Sequence, residues 1–350
     1  MTLLIDAIVF SLQRYGGISE YFHQLLRKLE KEGIPASVLL ETPLKQPVGN
    51  SPSGLPFIDR RARFLERYRS CRLPAGHSVF HSSYYRLPRA THAPSVVTVH
   101  DFVYERYAKG PKRWVHMHQK HAAIRAAQAV ICVSEATRQD LMKFVGEIPG
   151  QTVHVIHNGV SEVFRPLALE PAPAPYVLYV GERRGYKNFT RLLAAMEFLP
   201  DIELHCVGGG DLRAEELAAA PASARHRIRH LGFVTDEALN EHYNRALCLV
   251  YPSSYEGFGI PVAEAMRAGC PVVSTRCKAV LEVGGDALTV AADADPSALA
   301  DAVLRLTNTE YRNQVVSTGL EISRCFSWDR THAGTLGVYR SLGANLKPSC

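Results

Sequence analysis

Two glutamates bracket a glycine-bearing loop in the run YPSSYEGFGIPVAEAMRA (251–268). Glu256 lies in the loop, and Glu264 lies eight residues on, one turn into a predicted helix. The run follows an apolar, β-rich segment, CLVYPS. Pro261 stands where a helix begins, a position proline favours, and Gly269 stands where it is capped. The amides around Phe258, Gly259 and Ile260 then fall at a helix N-terminus, which attracts anions, typically phosphate. Ionised carboxylates on either side are strong acceptors for sugar hydroxyls. The combination suggests a cradle for a nucleotide sugar. A surface role for Glu264 fits poorly with the small and apolar residues beside it. Two glycines in one loop also cost entropy unless the backbone needs them.

A second constellation is VGERRGYKN (180–188), again after a β-rich run. Arg183, Arg184 and Lys187 surround Gly185 there, and such cations can clamp a diphosphate and stabilise the charge that develops as it leaves. In the first half, Gly16 and Gly17 (YGGISEYF) follow one strand, so their amides can approach a ligand. His100 ends another, SVVTVHD, where it can bond a sugar hydroxyl or a leaving phosphate or serve as a structural histidine. Three other motifs carry no chemistry. Asp293 and Asp295 precede Pro296 as a helix cap rather than a metal pair. His116 and His118 face different sides of one helix. Gly208–Gly210 do not complete a dinucleotide fingerprint.

The elements that position these groups alternate. Predicted strands cover 3–9, 36–41, 78–83, 95–101, 129–134 and 153–158, then 176–181, 202–208, 248–253, 271–275 and 287–292. Nearly continuous apolar runs suit parallel strands buried on both faces. Between them lie helical patterns such as 18–32, where Tyr21, Leu25 and Leu29 share a face and Gly33 ends the helix. This predicts an α/β chain of two doubly wound parallel sheets, joined by the proline-rich stretch 166–175. Ligands are expected beyond the carboxyl ends of the strands.

Composition excludes several classes. With 350 residues, 46% hydrophobic and 21% charged, the chain is a globular protein of two domains. No apolar window is long enough to cross a membrane, and the N-terminus reads as a strand rather than a signal peptide. Eight scattered cysteines without a C-x-x-C pair argue against a zinc site or disulfides and for the cytosol. Residues 1–165 carry a net +9, residues 166–327 a net −5 and the tail +2, which together give the overall +6. The basic half should meet something anionic. Its densest patch, Arg60, Arg61, Arg63, Arg67, Arg69 and Arg72, reads either as a basic amphipathic helix in peripheral contact with an anionic membrane surface or as a solvated helix. No nucleic-acid motif accompanies it.

The stretch SSYEGFGIPVAEAMRAGCPVVST resembles the E-x7-E signature of the family-4 retaining glycosyltransferases (glycosyl transferases group 1). YGGISEYF, VTVHD, VSEATRQDL with VIHNGV, VGERRGYKNF, EVGGDA and FSWDRTHAGTLGVY fit the same family in order along the chain. The resemblance implies a GT-B fold: two Rossmann-like domains facing across a cleft. An acceptor domain, 1–165, would be joined by a crossing helix, 328–350. The linker would be 166–175 and the nucleotide-sugar donor domain 176–327. It implies roles too. Glu264 would bind the donor ribose and Glu256 the sugar hydroxyls. Lys187 with Arg183 or Arg184 would hold the diphosphate, and the Phe258–Ile260 amides the phosphates and sugar. Gly17 would approach from the other domain, and His100 would touch the transferred sugar. Val234 and Asp236 would be weaker candidates for the base. Glu182 and Glu20 depart from the family pattern at positions where many members carry a basic residue.

No nucleophile suited to a covalent step is apparent, and no metal is needed if Lys187 and an arginine supply the charge. RRGYKNF, FHSSYYRLP and HDFVYE look most like bacterial O-antigen and polysaccharide mannosyltransferases. That implies GDP-mannose as donor, a lipid-diphosphate-linked oligosaccharide as acceptor, and a cytoplasmic site, including the inner face of the membrane. The alternatives are a nucleotide-sugar epimerase of the same fold, a non-catalytic nucleotide-sugar-binding scaffold, and a Rossmann oxidoreductase.

Overall fold

The computed structural model describes residues 2–13, 16–42, 54–61, 63–74, 76–89, 93–170, 172–344 and 346. The chain divides into two compact units, 1–159 with 328–350, and 160–327.

The first unit is built on seven strands: β1 (Thr2–Asp6), β2 (Ala36–Thr42), β3 (Phe57–Arg61), β4 (His77–Ser82), β5 (Ser95–Val99), β6 (Ala129–Cys132) and β7 (Thr152–Val155). All pair in parallel, in the order β3-β2-β1-β4-β5-β6-β7. The second unit repeats the plan with β8 (Tyr176–Val180), β9 (Glu203–Val207), β10 (Ile228–Gly232), β11 (Cys248–Tyr251), β12 (Val272–Ser274) and β13 (Leu288–Val290). Their order is β10-β9-β8-β11-β12-β13, also parallel throughout. These are two doubly wound parallel sheets, as expected. β5, β6, β8 and β11 are buried along their whole length, which is why they read as unbroken apolar runs.

Two strands were not expected, β3 (FIDRR) and β10 (IRHLG). Each closes one end of its sheet. An edge strand needs no apolar run, and charged residues there discourage further pairing. The arginine-rich segment also differs from expectation. It forms β3, then a single 3-10 turn (Glu66–Tyr68), not an amphipathic helix. Burial of Glu66 and Arg86 explains this: Arg63 and Arg86 both bond the Glu66 carboxylate, drawing the chain inward.

The helix Gly17–Lys31 buries Tyr21, Phe22, Leu25, Leu26 and Leu29, and Gly33 follows in a left-handed conformation. Against it packs the helix Trp328–Ser341, whose Trp328, Leu336, Val338 and Tyr339 share a core with Leu3, Tyr21 and Val79. Its Tyr339 hydroxyl lies 2.6 Å from His81 Nδ1, and Thr331 Oγ1 donates to the His157 carbonyl at 2.7 Å. In the second unit, Asp295 accepts from the Ser297 amide at 3.1 Å and caps the helix Pro296–Arg305. Just past the join, Arg165 and Leu167 amides donate to the Asn240 and Asn244 side chains, so this part of the chain is pinned to the second unit. No described helix is long and apolar enough to cross a membrane. The cysteines 71, 132, 206, 248, 270 and 277 are buried thiols. Burial pushes the Cys132, Cys206 and Cys270 thiols up to about 12, so they behave as inert apolar groups. Cys350 lies outside the described residues.

Candidate functional site

In the second unit the strand order reverses between β8 and β11. Loops leaving the carboxyl ends of such neighbours diverge and leave room for a ligand. The loop after β8 carries Lys187, and the loop after β11 carries Glu256.

Asn188 holds these loops together. Its backbone is left-handed (φ +52°), a conformation asparagine tolerates better than most residues. Its side-chain amide donates to the Pro252 carbonyl and to Ser254 Oγ, both at 2.8 Å. The Ser254 amide returns a bond to the Tyr186 carbonyl at 2.8 Å. Lys187 Nζ consequently sits 3.0 Å from Glu256 Oε1, with both side chains mostly buried. The contact is an ion pair without hydrogen-bond geometry, and Oε1 accepts no directed bond. The buried Tyr251 hydroxyl is hydrogen-bonded to Glu256; burial first, then the Glu256 charge, pushes its pKa well up. A mostly buried ammonium beside one carboxylate can be drawn to an incoming phosphate, leaving the carboxylate to a hydroxyl.

The helix Ile260–Arg267 begins beside this pair in sequence. Gly259 caps it at φ +99°, and a Cβ there would come within 3.3 Å of Val280 Cγ2. The first-turn amides have no acceptor within the helix, and Pro261 has no amide hydrogen to satisfy. Phe258 is buried edge-on to Phe326 at 5.5 Å, which fixes the loop. Glu264 is half-buried and accepts from the Tyr243 hydroxyl at 3.1 Å. Tyr243 also reaches the Pro261 carbonyl, so it orients the carboxylate against its own helix.

Arg183 does not join Lys187 as an anion clamp. Its guanidinium is buried and donates to Glu216 (3.1 Å) and to the carbonyls of Gly208 (2.9 Å), Gly210 (2.8 Å) and Asp211 (2.7 Å). Gly208, Gly209 and Gly210 are all left-handed and wrap around it; a Cβ on Gly209 would meet the guanidinium at 2.6 Å. The glycine triplet is therefore a seat for Arg183. Arg184 is exposed and pairs with Glu182 at 2.7 Å, which leaves it as the candidate second cation of the turn. Val234 is half-buried, and Asp236 is exposed in the first turn of the helix Asp236–Arg245, which Thr235 caps.

In the first unit, Gly17 opens the helix Gly17–Lys31 and is exposed; Gly16 before it is at φ +151°. His100 follows β5, with its ring edge-on to Tyr21 of that helix at 5.3 Å. Burial, with Lys120 adding to it against the opposing Asp101 charge, lowers the His100 pKa to about 4. It is neutral near pH 7, and its buried Nε2 has no partner among the described residues.

Tyr21, Asn188, Tyr243, Tyr251 and Ser254 were not foreseen as site residues. The tyrosines stand in helical and apolar stretches that also suit core positions. Only the asparagine directly after the basic turn offered a signal, through its tolerance of left-handed backbone.

Comparison with known proteins shows the family and the fold. The glycosyltransferase family 4 model matches residues 15–163, and the glycosyl transferases group 1 model matches residues 174–309. The chain is 28% identical over 285 residues to O-antigen chain mannosyltransferase B of Escherichia coli, covering 75% of this chain and 74% of that protein. It is 31% identical over 310 residues to alpha-maltose-1-phosphate synthase of Mycolicibacterium smegmatis, covering 77% and 76%. Its fold matches sucrose-phosphate synthase from Thermosynechococcus elongatus (TM-score 0.77, 21% identity, 98% and 99% covered). It also matches Anabaena HepE in complex with UDP-glucose (TM-score 0.74, 15% identity, 97% and 100% covered). With both halves matched in order and two parallel-sheet units beneath them, the chain belongs to the family-4 (group 1) glycosyltransferases.

Proposed function

We propose that this glycosyltransferase is a retaining α-mannosyltransferase. It moves mannose from GDP-mannose to a lipid-diphosphate-linked oligosaccharide, in assembly of a bacterial surface polysaccharide such as O-antigen. It works in the cytoplasm or at the inner face of the cytoplasmic membrane. The observation that carries the donor half is the Lys187–Glu256 pair, held by Asn188 at the switch point of the second sheet. Mannose rests on the resemblance to the mannosyltransferase relative. The maltose-1-phosphate synthase relative favours a glucosyl donor as the second reading.

In the proposed reaction the bond from the anomeric carbon to the diphosphate breaks, and a bond to the acceptor oxygen forms on the same face. The acceptor proton passes to the leaving diphosphate. Lys187, aided by Arg184, stabilises the negative charge of that leaving group. Glu256 accepts from sugar hydroxyls, Glu264 from the ribose, and the Phe258–Ile260 amides hold phosphate and sugar. Neutral His100 offers an uncharged polar contact to the transferred sugar, and Gly17 a close backbone approach to the diphosphate. With these charges supplied by side chains, the reaction is proposed to need no metal ion.

The test is release of nucleoside diphosphate from a panel of GDP-, UDP-, ADP- and dTDP-sugars, with and without EDTA. Release from GDP-mannose alone, unchanged by EDTA, is the expected result. Release from a UDP- or ADP-glucose donor would replace the sugar. Loss of release on chelation would remove the metal-independent mechanism.

A further inference from the structure

Arg183 carries a charge that the proposed reaction does not use. It follows β8, and its side chain is only 3% exposed. Four bonds hold its guanidinium: one to Glu216 at 3.1 Å, and three to the carbonyls of Gly208, Gly210 and Asp211 at 2.9, 2.8 and 2.7 Å. The centroid of the buried Phe189 ring lies 5.5 Å away. Glu216 is fixed in turn, because its carboxylate accepts from the Arg213 amide at 2.9 Å and the Arg213 guanidinium at 3.0 Å. Burying a guanidinium is costly, and an apolar side chain of similar volume is often no less stable at such a place. Stability alone therefore does not account for an arginine here. What the arginine adds is direction: its rigid fork turns three carbonyls of one loop towards a single point.

The backbone of that loop follows from this. Gly208, Gly209 and Gly210 all hold left-handed conformations, at φ +77°, +75° and +73°. Only glycine adopts three of these in a row without strain. A Cβ on Gly209 would meet the guanidinium at 2.6 Å and the Gly181 carbonyl oxygen at 3.0 Å, whereas a Cβ on Gly210 would meet nothing within 4 Å. The loop thus packs on Arg183 at Gly209 and opens on free space, without side chains, at Gly210. Both neighbouring strands hold it. The Gly208 amide donates to the Gly232 carbonyl at the end of β10 at 2.8 Å, and the Gly181 amide just after β8 donates to the Val207 carbonyl at 3.0 Å.

The strand order β10-β9-β8 places this loop, which leaves the carboxyl end of β9, between the β8 loop with Lys187 and the β10 loop with Val234. A ligand held at Lys187 by its diphosphate and reaching Val234 crosses it. We infer that Arg183 is a positioning residue of the donor site: by gathering the carbonyls of Gly208, Gly210 and Asp211 it holds a bare backbone floor on which the nucleoside of the donor rests. Arg183 acts through the loop, and Lys187 acts on the diphosphate. The nucleoside's place on this floor rests on the proposed donor site; the seating of the loop on Arg183 does not.

The experiment titrates the full-length protein with GDP and with UDP by calorimetry. It also measures kcat and KM for release of nucleoside diphosphate from GDP-mannose and UDP-glucose. Arg183→Lys keeps the charge and cannot reach all four acceptors. Gly209→Ala keeps the arginine and drives a Cβ into it. Each should raise the Kd of the nucleoside diphosphate and the KM of its sugar about tenfold or more, with kcat within about threefold of wild type. The double variant should be no worse than the weaker-binding single one, because both substitutions break the same contact. An unfolded fraction lowers the apparent kcat and leaves the Kd of the folded remainder unchanged, so misfolding does not imitate this split. Unchanged Kd and KM in the folded variants would overturn the inference. So would a fall in kcat as deep as that of Lys187→Ala with Kd unchanged, which would make Arg183 a diphosphate clamp. Wild-type release with variants of unaltered affinity removes this inference alone. Wild-type binding without release, weakened in both variants, removes the proposed reaction alone. A wild-type protein that binds neither nucleotide removes both.

Discussion

Asn188 is the residue that ties together the loops carrying Lys187 and Glu256. It contributes no charge, yet its amide bridges the Pro252 carbonyl and Ser254 and so fixes Lys187 against Glu256. Asn188→Gly keeps the left-handed backbone and loses the bridge, whereas Asn188→Ala loses both. If the bridge is what matters, both variants lower kcat/KM for nucleotide-sugar turnover about tenfold or more, because misplacing a charged group weakens catalysis steeply. Steady-state kinetics on the two variants check this, and a normal rate in Asn188→Gly would show that only the backbone conformation counts. Glu256, Glu264 and Lys187 stood out in the sequence as candidates because they are ionisable groups flanking glycines. Tyr243 offered no signal and Asn188 only its tolerance of left-handed backbone, because their contacts exist only once distant segments meet. Arg183 shows the converse. Its place in a basic turn suggested a clamp, but the three glycines that capture it lie on another loop, 25 residues and more away.

Among the elements, the buried parallel strands were readable because burial on both faces leaves an unbroken apolar run. The edge strands β3 and β10 were not, since an edge carries polar residues and its identity depends on a partner. Close approaches between elements were equally hidden. At Gly159 a Cβ would lie 2.3 Å from the Trp328 backbone nitrogen, where the helix Trp328–Ser341 begins. Gly159→Ala should destabilise the first unit by about 1–3 kcal/mol through overpacking. Urea unfolding followed by tryptophan emission checks it, because both tryptophans belong to this unit. At Gly259 the same substitution forces an alanine to φ +99° against Val280 and disturbs the N-terminus of the helix Ile260–Arg267. Weaker binding of the nucleoside diphosphate by calorimetry, in a protein that still folds, is the expected outcome.

Taken whole, the molecule joins two units of the same architecture with different charge and different sensitivity to acid. The first unit holds His81, whose pKa burial lowers to about 3, and His100 and His116, each lowered to about 4, again chiefly by burial. The unfolded chain takes up these protons near pH 6.5 and the folded chain only well below it. The folded state therefore binds fewer protons across that window. Stability is present above about pH 6.5 and is lost as pH falls towards 4, by about 1.4 kcal/mol for each pKa unit of depression. The urea midpoint reported by tryptophan emission should drop between pH 7 and pH 4.5, and an unchanged midpoint would mean that these histidines are not held neutral. The doubly wound plan was readable from alternating strands and helices, and the place of the Lys187–Glu256 pair follows the rule that ligands lie beyond strand ends. The buried bonding of Arg86 to Asp6 and Glu66 was not, because these residues meet only through the fold. The central claim is that Lys187 carries the charge of the departing diphosphate. Its most direct measurement is single-turnover release of nucleoside diphosphate from saturating nucleotide sugar by wild type and Lys187→Ala, with nucleoside diphosphate binding measured beside it. The account predicts that release falls about 10²–10³-fold while the variant still binds the nucleotide. Release at the wild-type rate by a folded Lys187→Ala protein would contradict it.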